Sequence, residues 1–362
     1  MELYCNQMIR TKISVLTFFY LLTFYDVLGQ YTEQINSNRP GYSIGAFSVG
    51  KGVIQAETGF EFRNYKHNNY NQSTIDGTVV FLSLRWGFLF EQLELKYDGS
   101  YMLDKFSNKV SNIPIEKKRS GFLQNFLGIK YLVYDPFKKE KEVNNYSWKA
   151  NNGFKIRDII PAVSITVGAN YDPFVEENPY PYGDLFATFY RPIFNRTLFY
   201  TPPTPSPLSL RGTIATQSHF LGTWVFVTNF SLKKFLSEFD EKSYILTLTH
   251  TFNPVWSVYI ENQGIFSERY SDNFFRTGAA YLVGDNLQVE ATIGSNTKTT
   301  PSFFSLNAGA SYRLDFHKDY KDPRKIEKKK MKKEEKVLKK MTRKTNKKEK
   351  KRNKNAKKKP KQ

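Results

Sequence analysis

The 362-residue sequence has one cysteine and four histidines, and after residue 30 no apolar run approaches the roughly 20 residues that a membrane-spanning helix needs. The single thiol, Cys5, lies in an apolar leader, so disulfides, a thiolate metal site and a cysteine nucleophile are excluded from the rest of the chain. No cluster has metal-ligand spacing, no glycine loop could cradle a phosphate, and no histidine stands in a recognisable order with a serine and an acid. We therefore expect no metal, no cofactor and no enzymatic activity.

The positive charge, 54 Lys/Arg against 34 Asp/Glu, is concentrated at one end of the chain. Residues 318–362 carry 24 basic and 6 acidic side chains, which leaves 30 basic and 28 acidic side chains for the body. The segment 317–362 has too few apolar residues to bury a core and is predicted to be a disordered, Lys-rich tail. Aromatic residues make up 16% of a chain with a mean hydropathy of −0.53, which argues against both a disordered body and a helical membrane bundle.

Residues 1–29 have the pattern of a secretory signal peptide. Arg10 and Lys12 precede the apolar stretch 13–25, and residues 27–29 offer a cleavage site that would leave Gln30 as the new N-terminus. A membrane anchor is the alternative, but the apolar stretch is short for one. The sequence therefore predicts export, which argues against nucleic acid as the partner of the basic tail.

Apolar and polar residues alternate with a period of two through most of residues 52–316. In the segment 53–63, for example, Ile54, Ala56, Thr58, Phe60 and Phe62 alternate with Gln55, Glu57, Gly59, Glu61 and Arg63. Ten clear segments of this kind and two weaker ones, near 209–217 and 274–282, predict about twelve β-strands.

A soluble β-sandwich would alternate in the same way, but three features favour a membrane barrel. The segments are about 10 residues long, as a tilted membrane-crossing strand requires. Aromatic residues gather at their ends, and tight turns alternate with longer loops at residues 64–76, 102–121, 171–208, 265–273 and 295–302. We predict an all-β fold: a transmembrane antiparallel up-and-down β-barrel in the outer membrane of a Gram-negative bacterium.

Two connections in this prediction have special roles. Residues 135–157 break the alternation and would form a long, charged connection in the periplasm, on the side of the tight turns. Residues 171–208 contain eight prolines, which cannot donate to a strand ladder. The latter segment is predicted either to cap the mouth of the barrel or to fold inward.

Several short motifs resemble one bacterial family. They are Asn38-Arg39-Pro40-Gly41-Tyr42, residues 49–59, Leu84-Arg85-Trp86-Gly87, residues 286–290 and residues 309–313. Together they span most of 38–316 and are similar to the outer-membrane proteins named for a putative meta-pathway of phenol degradation. The resemblance implies an outer-membrane barrel that passes small molecules. That family usually has acidic residues immediately before and after its Arg-Pro pair, where this chain has Asn38 and Gly41.

The last predicted strand resembles the signal that the outer-membrane insertion machinery reads. Its residues are Asn307, Gly309, Tyr312, Leu314 and Phe316. We therefore expect the insertion machinery and outer-membrane lipid as partners. The basic tail could in addition bind an anionic envelope partner, or it could be a solvated tail without a partner.

The polar face of the strands is expected to line the barrel lumen. Its candidate lumen and constriction residues are Glu57, Glu61, Arg63, Arg85, Glu94, Lys96, Asp98, Lys130, Glu261, Glu290 and Arg313. With Arg211, Arg276 and Asp315 they make seven acids and seven bases, which predicts no ring selective for one sign of charge. They are either a salt-bridged interior or, for some of them, a constriction that binds a solute.

About twelve strands predict a lumen that is narrow or plugged, since eight strands close around side chains and 16–18 leave a water channel. Residues 30–51 are predicted to be either that plug or a loose periplasmic lead-in. The expected function is a channel or transporter that passes small molecules, including hydrophobic ones, by passive diffusion. The alternative is a structural or adhesive barrel with a closed lumen that acts through its loops or its basic tail.

Overall fold

The computed structural model describes residues 34–69, 72–109, 115–137, 159–180, 183, 206–235, 240–268 and 270–317. The predicted signal peptide, most of the connection 135–157, most of the Pro-rich loop and all of the tail from residue 318 lie outside these residues. The chain divides into one unit of residues 1–317 and another of residues 318–362, and only the first contains described residues. No helix in the described ranges is long and apolar enough to cross a membrane.

Twelve antiparallel strands close into a single barrel. Each strand pairs with its neighbours in sequence, and β1 pairs with β12 to complete the ring. The strands are β1 (Val53–His67), β2 (Ser73–Gly87), β3 (Leu93–Asn108), β4 (Ile115–Tyr134), β5 (Ala162–Tyr171), β6 (Leu208–Phe220), β7 (Trp224–Phe235), β8 (Glu241–Thr251), β9 (Trp256–Ser267), β10 (Asp272–Val283), β11 (Leu287–Asn296) and β12 (Ser302–Asp315). The predicted up-and-down barrel of about twelve strands is confirmed.

The period-two pattern separates an apolar outside from a polar inside. On β1, Glu57 and Glu61 point into the barrel and are 1% and 2% exposed, whereas Phe60 and Phe62 point outward and are 55% and 57% exposed. The cross-strand register places Phe60 beside Val80 and Ala308, so outward apolar side chains continue from strand to strand. Further exposed members of this belt are Leu82, Leu84, Trp86, Leu127, Ile129, Ile165, Val167, Ile214, Phe226, Phe230, Ile260, Ile293, Leu306, Tyr312 and Leu314.

The belt and the closed ladder identify the protein as an outer-membrane barrel. A membrane offers no water to unpaired backbone groups, so a β-structure can cross it only when closure pairs every strand edge. The outside must then be apolar, and it is. The predicted localisation, the outer membrane of a Gram-negative bacterium, follows from this architecture.

Four of the predicted external loops are largely strand. The segment 64–76 contains the end of β1 and the start of β2, so that only residues 68–72 connect them. In the same way the predicted loops 102–121, 265–273 and 295–302 shrink to 109–114, 268–271 and 297–301. The prediction was wrong there because the backbone ladder continues past the apolar belt, where outward positions are polar and hydrophobic alternation fades. Between the described strands on that side, the longest interval is residues 172–207, between β5 and β6.

We predict that Leu82→Arg destabilises the folded barrel by about 2–4 kcal/mol, because Leu82 faces lipid near the middle of β2. Phe316→Arg is the control, since Phe316 lies just beyond the end of β12 and its replacement costs at most about 1 kcal/mol. Urea-dependent unfolding in lipid vesicles measures both variants. Equal effects at the two positions would contradict the placement of the belt.

Candidate functional site

Residues 34–52, called the inner segment here, lie inside the barrel as a loop. Both of its ends lie where β1 begins and β12 ends, which we call the entry end. There Ile35 N donates to Asp285 O at 2.8 Å and Gly52 N donates to Gly87 O at 2.8 Å. Between these points the loop reaches the middle of the lumen at Tyr42, and Gly45 N donates to Asn38 Oδ1 at 2.9 Å, which ties its two arms together.

The inner segment has no helix or strand of its own, so its buried backbone needs other partners. Lumen side chains accept hydrogen bonds from its amides. Glu261 Oε2 accepts from Tyr42 N and Ser43 N at 2.9 and 3.2 Å. Further acceptor pairs are Asn229 Oδ1 with Ile44 N (2.6 Å), Gln217 Oε1 with Ala46 N (3.0 Å), Glu94 Oε2 with Val49 N (3.0 Å) and Glu57 Oε1 with Asn38 N (3.2 Å).

Basic and amide side chains of the lumen bind the carbonyls of the same segment. Arg85 donates from Nη1 to Asn36 O at 2.8 Å and from Nη2 to Phe47 O at 3.2 Å, and Lys130 Nζ donates to Phe47 O at 2.6 Å. Asn229 Nδ2 donates to Ile44 O at 2.8 Å, so this amide binds both backbone groups of one residue, as a neighbouring strand would. Other donors are Gln55, Gln288, Tyr259 and Thr292, to the carbonyls of Asn36, Arg39 and Pro40.

This arrangement explains why the lumen mixes both signs of charge. A peptide backbone presents donors and acceptors in equal number, so the wall that holds it needs acids and bases together. Arg85 and Glu94, 1% and 0% exposed, also pair with each other through two bonds of 2.8 and 2.9 Å. Lys130 lies 3.7 Å from Glu94, and Glu57 lies 3.7 Å from Arg85.

The tip of the inner segment is held by charged side chains from several strands. The Tyr42 hydroxyl donates to Glu61, whose Oε2 also accepts from Arg63 Nη2 at 2.7 Å. The Arg276 guanidinium stacks on the Tyr42 ring with 4.1 Å to the centroid and donates to Glu261 Oε1 at 3.1 Å. Glu61, Arg63 and Glu261, all among the predicted lumen residues, thus meet at one tyrosine.

Gly41 has a structural reason to differ from an acidic residue, and Asn38 forms hydrogen bonds of its own. A Cβ on Gly41 would lie 2.6 Å from Glu261 Oε2, so this glycine leaves room for the carboxylate that binds Tyr42 N and Ser43 N. Asn38 accepts the bond from Gly45 N, while its own amide donates to Glu57. Carboxylates reach the segment here from the wall, from Glu57 and Glu261, rather than from positions 38 and 41.

A cavity of about 370 Å³ lies in the lumen beyond the tip of the inner segment. Arg39 and Tyr42 of the inner segment line it together with aromatic and aliphatic side chains of the wall, including Phe81, Phe126 and Ile245. Its basic lining residues are Arg39, Arg63, Lys96, Arg211, Lys233, Lys234 and Arg276, and its acidic ones are Glu57, Glu61, Asp98 and Glu241. The lining is therefore richer in basic than in acidic residues, in contrast to the balanced set expected from the sequence.

Three charged residues on the barrel wall of this cavity, Lys233, Lys234 and Glu241, were missed by the sequence analysis. Lys233 Nζ and Lys234 Nζ share Glu241, at 3.2 and 2.9 Å. Strict alternation would turn Lys234 outward. A register shift between Leu210 and Gly212 in the β6–β7 pairing and a positive φ of 59° at Lys234 turn it inward instead. A bulge of this kind leaves no period-two signal.

The Pro-rich loop contributes to the other end of the lumen, which we call the far end. Of its described part, Tyr180 is fully buried in an apolar cluster with Tyr65, Ile75, Met102 and Phe303. Burial raises the pKa of the Tyr180 phenol, and the nearby Asp104 carboxylate raises it further, so this side chain stays neutral. Of the two predicted arrangements, this part of the loop adopts the inward-folded one.

The remaining predicted residues are placed as follows. Lys96 pairs with Asp98 at 3.0 Å in the cavity, Glu290 accepts from Gln288 at 3.0 Å, and Arg313 pairs with Asp315 at 3.0 Å near the entry end. In the predicted insertion signal, Tyr312, Leu314 and Phe316 face outward and Asn307 faces inward. The histidines remain scattered, and no group of metal-ligating side chains occurs among the described residues.

Comparison with known proteins identifies one matching family. A family model described as putative MetA-pathway of phenol degradation matches residues 37–175 and 207–314, about two thirds of the chain. The unmatched interval falls in the long loop between β5 and β6. No curated protein matches.

Among solved structures, an outer-membrane channel from Pseudomonas putida F1 is similar, with 10% identity and a TM-score of 0.45 over 78% of this chain and 100% of that one. The transport unit of the autotransporter AIDA-I from Escherichia coli has 12% identity and a TM-score of 0.45 over 77% and 92%. The translocator domain of the autotransporter NalP from Neisseria meningitidis has 8% identity and a TM-score of 0.41 over 73% and 89%.

We predict that Asn229→Leu loosens the inner segment, because it leaves Ile44 N and Ile44 O without their partners. Each unsatisfied buried group costs about 1–3 kcal/mol, so local opening should increase at least about tenfold. With the chain otherwise free of thiols after Cys5, a Ser43→Cys reporter labelled with a maleimide measures this opening. Thr216→Val, which removes a 2.7 Å bond to Thr228 without touching the inner segment, is the control. Labelling that is fast in the parent protein would contradict the observed burial of Ser43.

Proposed function

The chain belongs to the family described as putative MetA-pathway of phenol degradation, and from this we propose that it is an outer-membrane channel through which small molecules, including hydrophobic ones, diffuse passively. The observation that carries the proposal is the lumen cavity. Its volume of about 370 Å³ is in the range of small-molecule sites, and its wall combines apolar rings with fixed polar groups. A barrel that served only as a scaffold would gain nothing from such a space.

The inner segment supports a role as a plug. Ile44, Ala46 and Val49 are all buried; Ile44 lines the cavity, and Ala46 and Val49 follow it toward the entry end. Phe47 packs with Ala46 against Leu132 and Ala162 on the wall, which fills the lumen at that level. A solute in the cavity would therefore meet the segment before it reached the entry end, and passage requires that the segment shifts.

The bonds that hold the segment are suited to such a shift. Most are side-chain to backbone hydrogen bonds, whose net contribution is about 0.5–1.5 kcal/mol for a neutral side chain and about 1.5–3 kcal/mol for a charged one, because water can replace them when the segment moves. The barrel ladder itself involves none of these bonds, so the wall can stay intact while the segment leaves. The same fixed charges that bind the segment would line the opened path.

The alternative is a closed barrel with a structural or adhesive role. It is supported by the occupation of the lumen from both sides, by the inner segment at the entry end and by the Tyr180 cluster at the far end. In that case the external loops or the basic tail would carry the function. A test must therefore distinguish a plug that moves from one that does not.

We also propose two interactions outside the lumen. The outward-facing Tyr312, Leu314 and Phe316 on and just beyond β12 would be read by the insertion machinery. The basic tail from residue 317 would bind an anionic envelope partner, since basic residues near an anionic surface contribute about 1 kcal/mol each.

A disulfide between the segment and the wall tests the plug. Ser37 Oγ lies 2.8 Å from Ser311 Oγ, close enough for Ser37→Cys with Ser311→Cys to form a bond. We predict that oxidation of this double variant abolishes solute flux into proteoliposomes and that reduction restores the wild-type rate. Ser37→Cys alone, under the same oxidation, should keep the wild-type rate.

The outcomes separate the two functions. If the oxidised and reduced double variants pass solute equally, the channel stands but the segment is not a moving plug. If the wild-type protein passes no small solute and shows no openings in planar bilayers, the channel proposal is wrong and the closed barrel remains.

A further inference from the structure

Arg211 of β6 lines the lumen cavity. Its guanidinium stacks on the ring of Phe126, with 4.7 Å between Cζ and the ring centroid. Phe126 in turn lies over the cross-strand pair Gly128 and Gly168, where the absence of side chains lets the ring lie against the wall. The stacked face of the guanidinium is thus fixed by packing, and its edge is left for polar contacts.

The Nε atom on that edge has no hydrogen-bond partner among the described residues. Arg211 Nε has no hydrogen bond although it is buried, and the nearest carboxylate, Asp98, lies at 4.0 Å. Asp98 is already bound by Lys96 Nζ at 3.0 Å and by Ser83 Oγ at 2.7 Å. Arg119, by contrast, has both edge nitrogens paired: its Nε and Nη2 donate to the two oxygens of Asp104 at 3.0 and 2.6 Å.

The surroundings of Arg211 are basic. The β6–β7 bulge places Lys233 and Lys234 beside it, and both lysines share the single carboxylate of Glu241. With Lys96, this side of the cavity has four basic side chains and two acidic ones, Asp98 and Glu241. A left-handed backbone conformation is uncommon at a non-glycine residue in a strand. At Lys234 it brings a second lysine into the cavity beside Lys233.

Apolar side chains complete the site. Phe126, Leu123 and Ile245 line the same cavity, so a ligand that reached Arg211 would have an apolar surface beside it. An unpaired guanidinium edge matches a carboxylate, which can accept two parallel hydrogen bonds from it. The excess of basic groups matches its negative charge.

We propose that this part of the cavity binds the carboxylate of small organic acids with an aromatic or branched apolar body, with Arg211 as the anchoring residue. The assignment rests on the proposed function, because it names the class of solute that would occupy the channel. The carboxylate bonds to the Arg211 edge, Lys233 and Lys96 supply further positive charge, and the apolar body packs against Phe126 and Leu123.

Benzoate, benzamide and acetate are suitable probes, because benzamide lacks only the charge and acetate lacks only the ring. Calorimetry on the full mature chain in detergent should show benzoate binding at least about tenfold tighter than either of the others, a difference of about 1.4 kcal/mol. Arg211→Gln should lower benzoate affinity at least about tenfold, and Arg211→Lys should give a smaller loss, since it keeps the charge without the planar fork. Lys105→Gln, on the outside of the barrel next to Glu116, should leave binding unchanged.

Several outcomes would overturn the site. These are equal affinities for benzoate and benzamide, equal affinities for benzoate and acetate, or an Arg211→Gln protein that binds benzoate as the parent does. Heat-shifted migration on gels shows whether each variant is a folded barrel, and Arg211→Lys provides a second reading if Arg211→Gln does not fold.

Flux into proteoliposomes separates the site from the channel. Arg211-dependent benzoate binding without flux of benzoate, benzamide or any other small solute would refute the proposed channel and leave the binding site standing. Equal flux of benzoate and benzamide, with no binding of either, would refute the site and leave the channel standing.

Discussion

The structure depends on one constraint: a peptide without secondary structure lies in a lumen, and its backbone must be hydrogen bonded there. Asn229 binds both the amide and the carbonyl of Ile44, Glu261 accepts from two successive amides, and Arg85 donates to two separate carbonyls. Buried backbone groups left unpaired would each cost about 1–3 kcal/mol, so the wall chemistry is dictated by the segment it holds. The mixture of acids and bases and the glycine at position 41 both follow from this requirement.

The same constraint divides the lumen into two parts with different electrostatics. Near the entry end, acidic and basic side chains pair with each other and bind the inner segment. Arg85, Glu94 and Lys130 are examples. Beyond Tyr42, charged groups face open space, and there basic residues outnumber acidic ones. Arg211 has a buried Nε without a partner, which is tolerable only if water or a solute completes its hydrogen bonding. The cavity is therefore the part of the lumen in which we expect a ligand to gain the most favourable binding free energy.

The number of strands and the direction of most side chains could be predicted from sequence because each strand has one face in lipid and the other in a polar lumen. The eleven lumen candidates, from Glu57 to Arg313, were identified by alternation alone. The strand ends could not be predicted, because beyond the belt both faces meet water and the pattern fades, as at Lys66 and Lys105. The path of the inner segment could not be predicted either, because an irregular backbone produces no periodic pattern in the sequence. Lys234 was missed because one bulged residue reverses the alternation.

The central claim is that residues 34–52 are bound in the lumen by its side chains in the membrane-embedded protein. Amide hydrogen exchange of the full mature chain in lipid vesicles tests it most directly, since the segment has no ladder of its own. The account predicts that Ile44, Ala46 and Val49 exchange far more slowly than an unstructured peptide but faster than the amides of β1, because the segment can leave while the ladder stays intact. Exchange of these amides at the unstructured rate, with β1 protected, would contradict it.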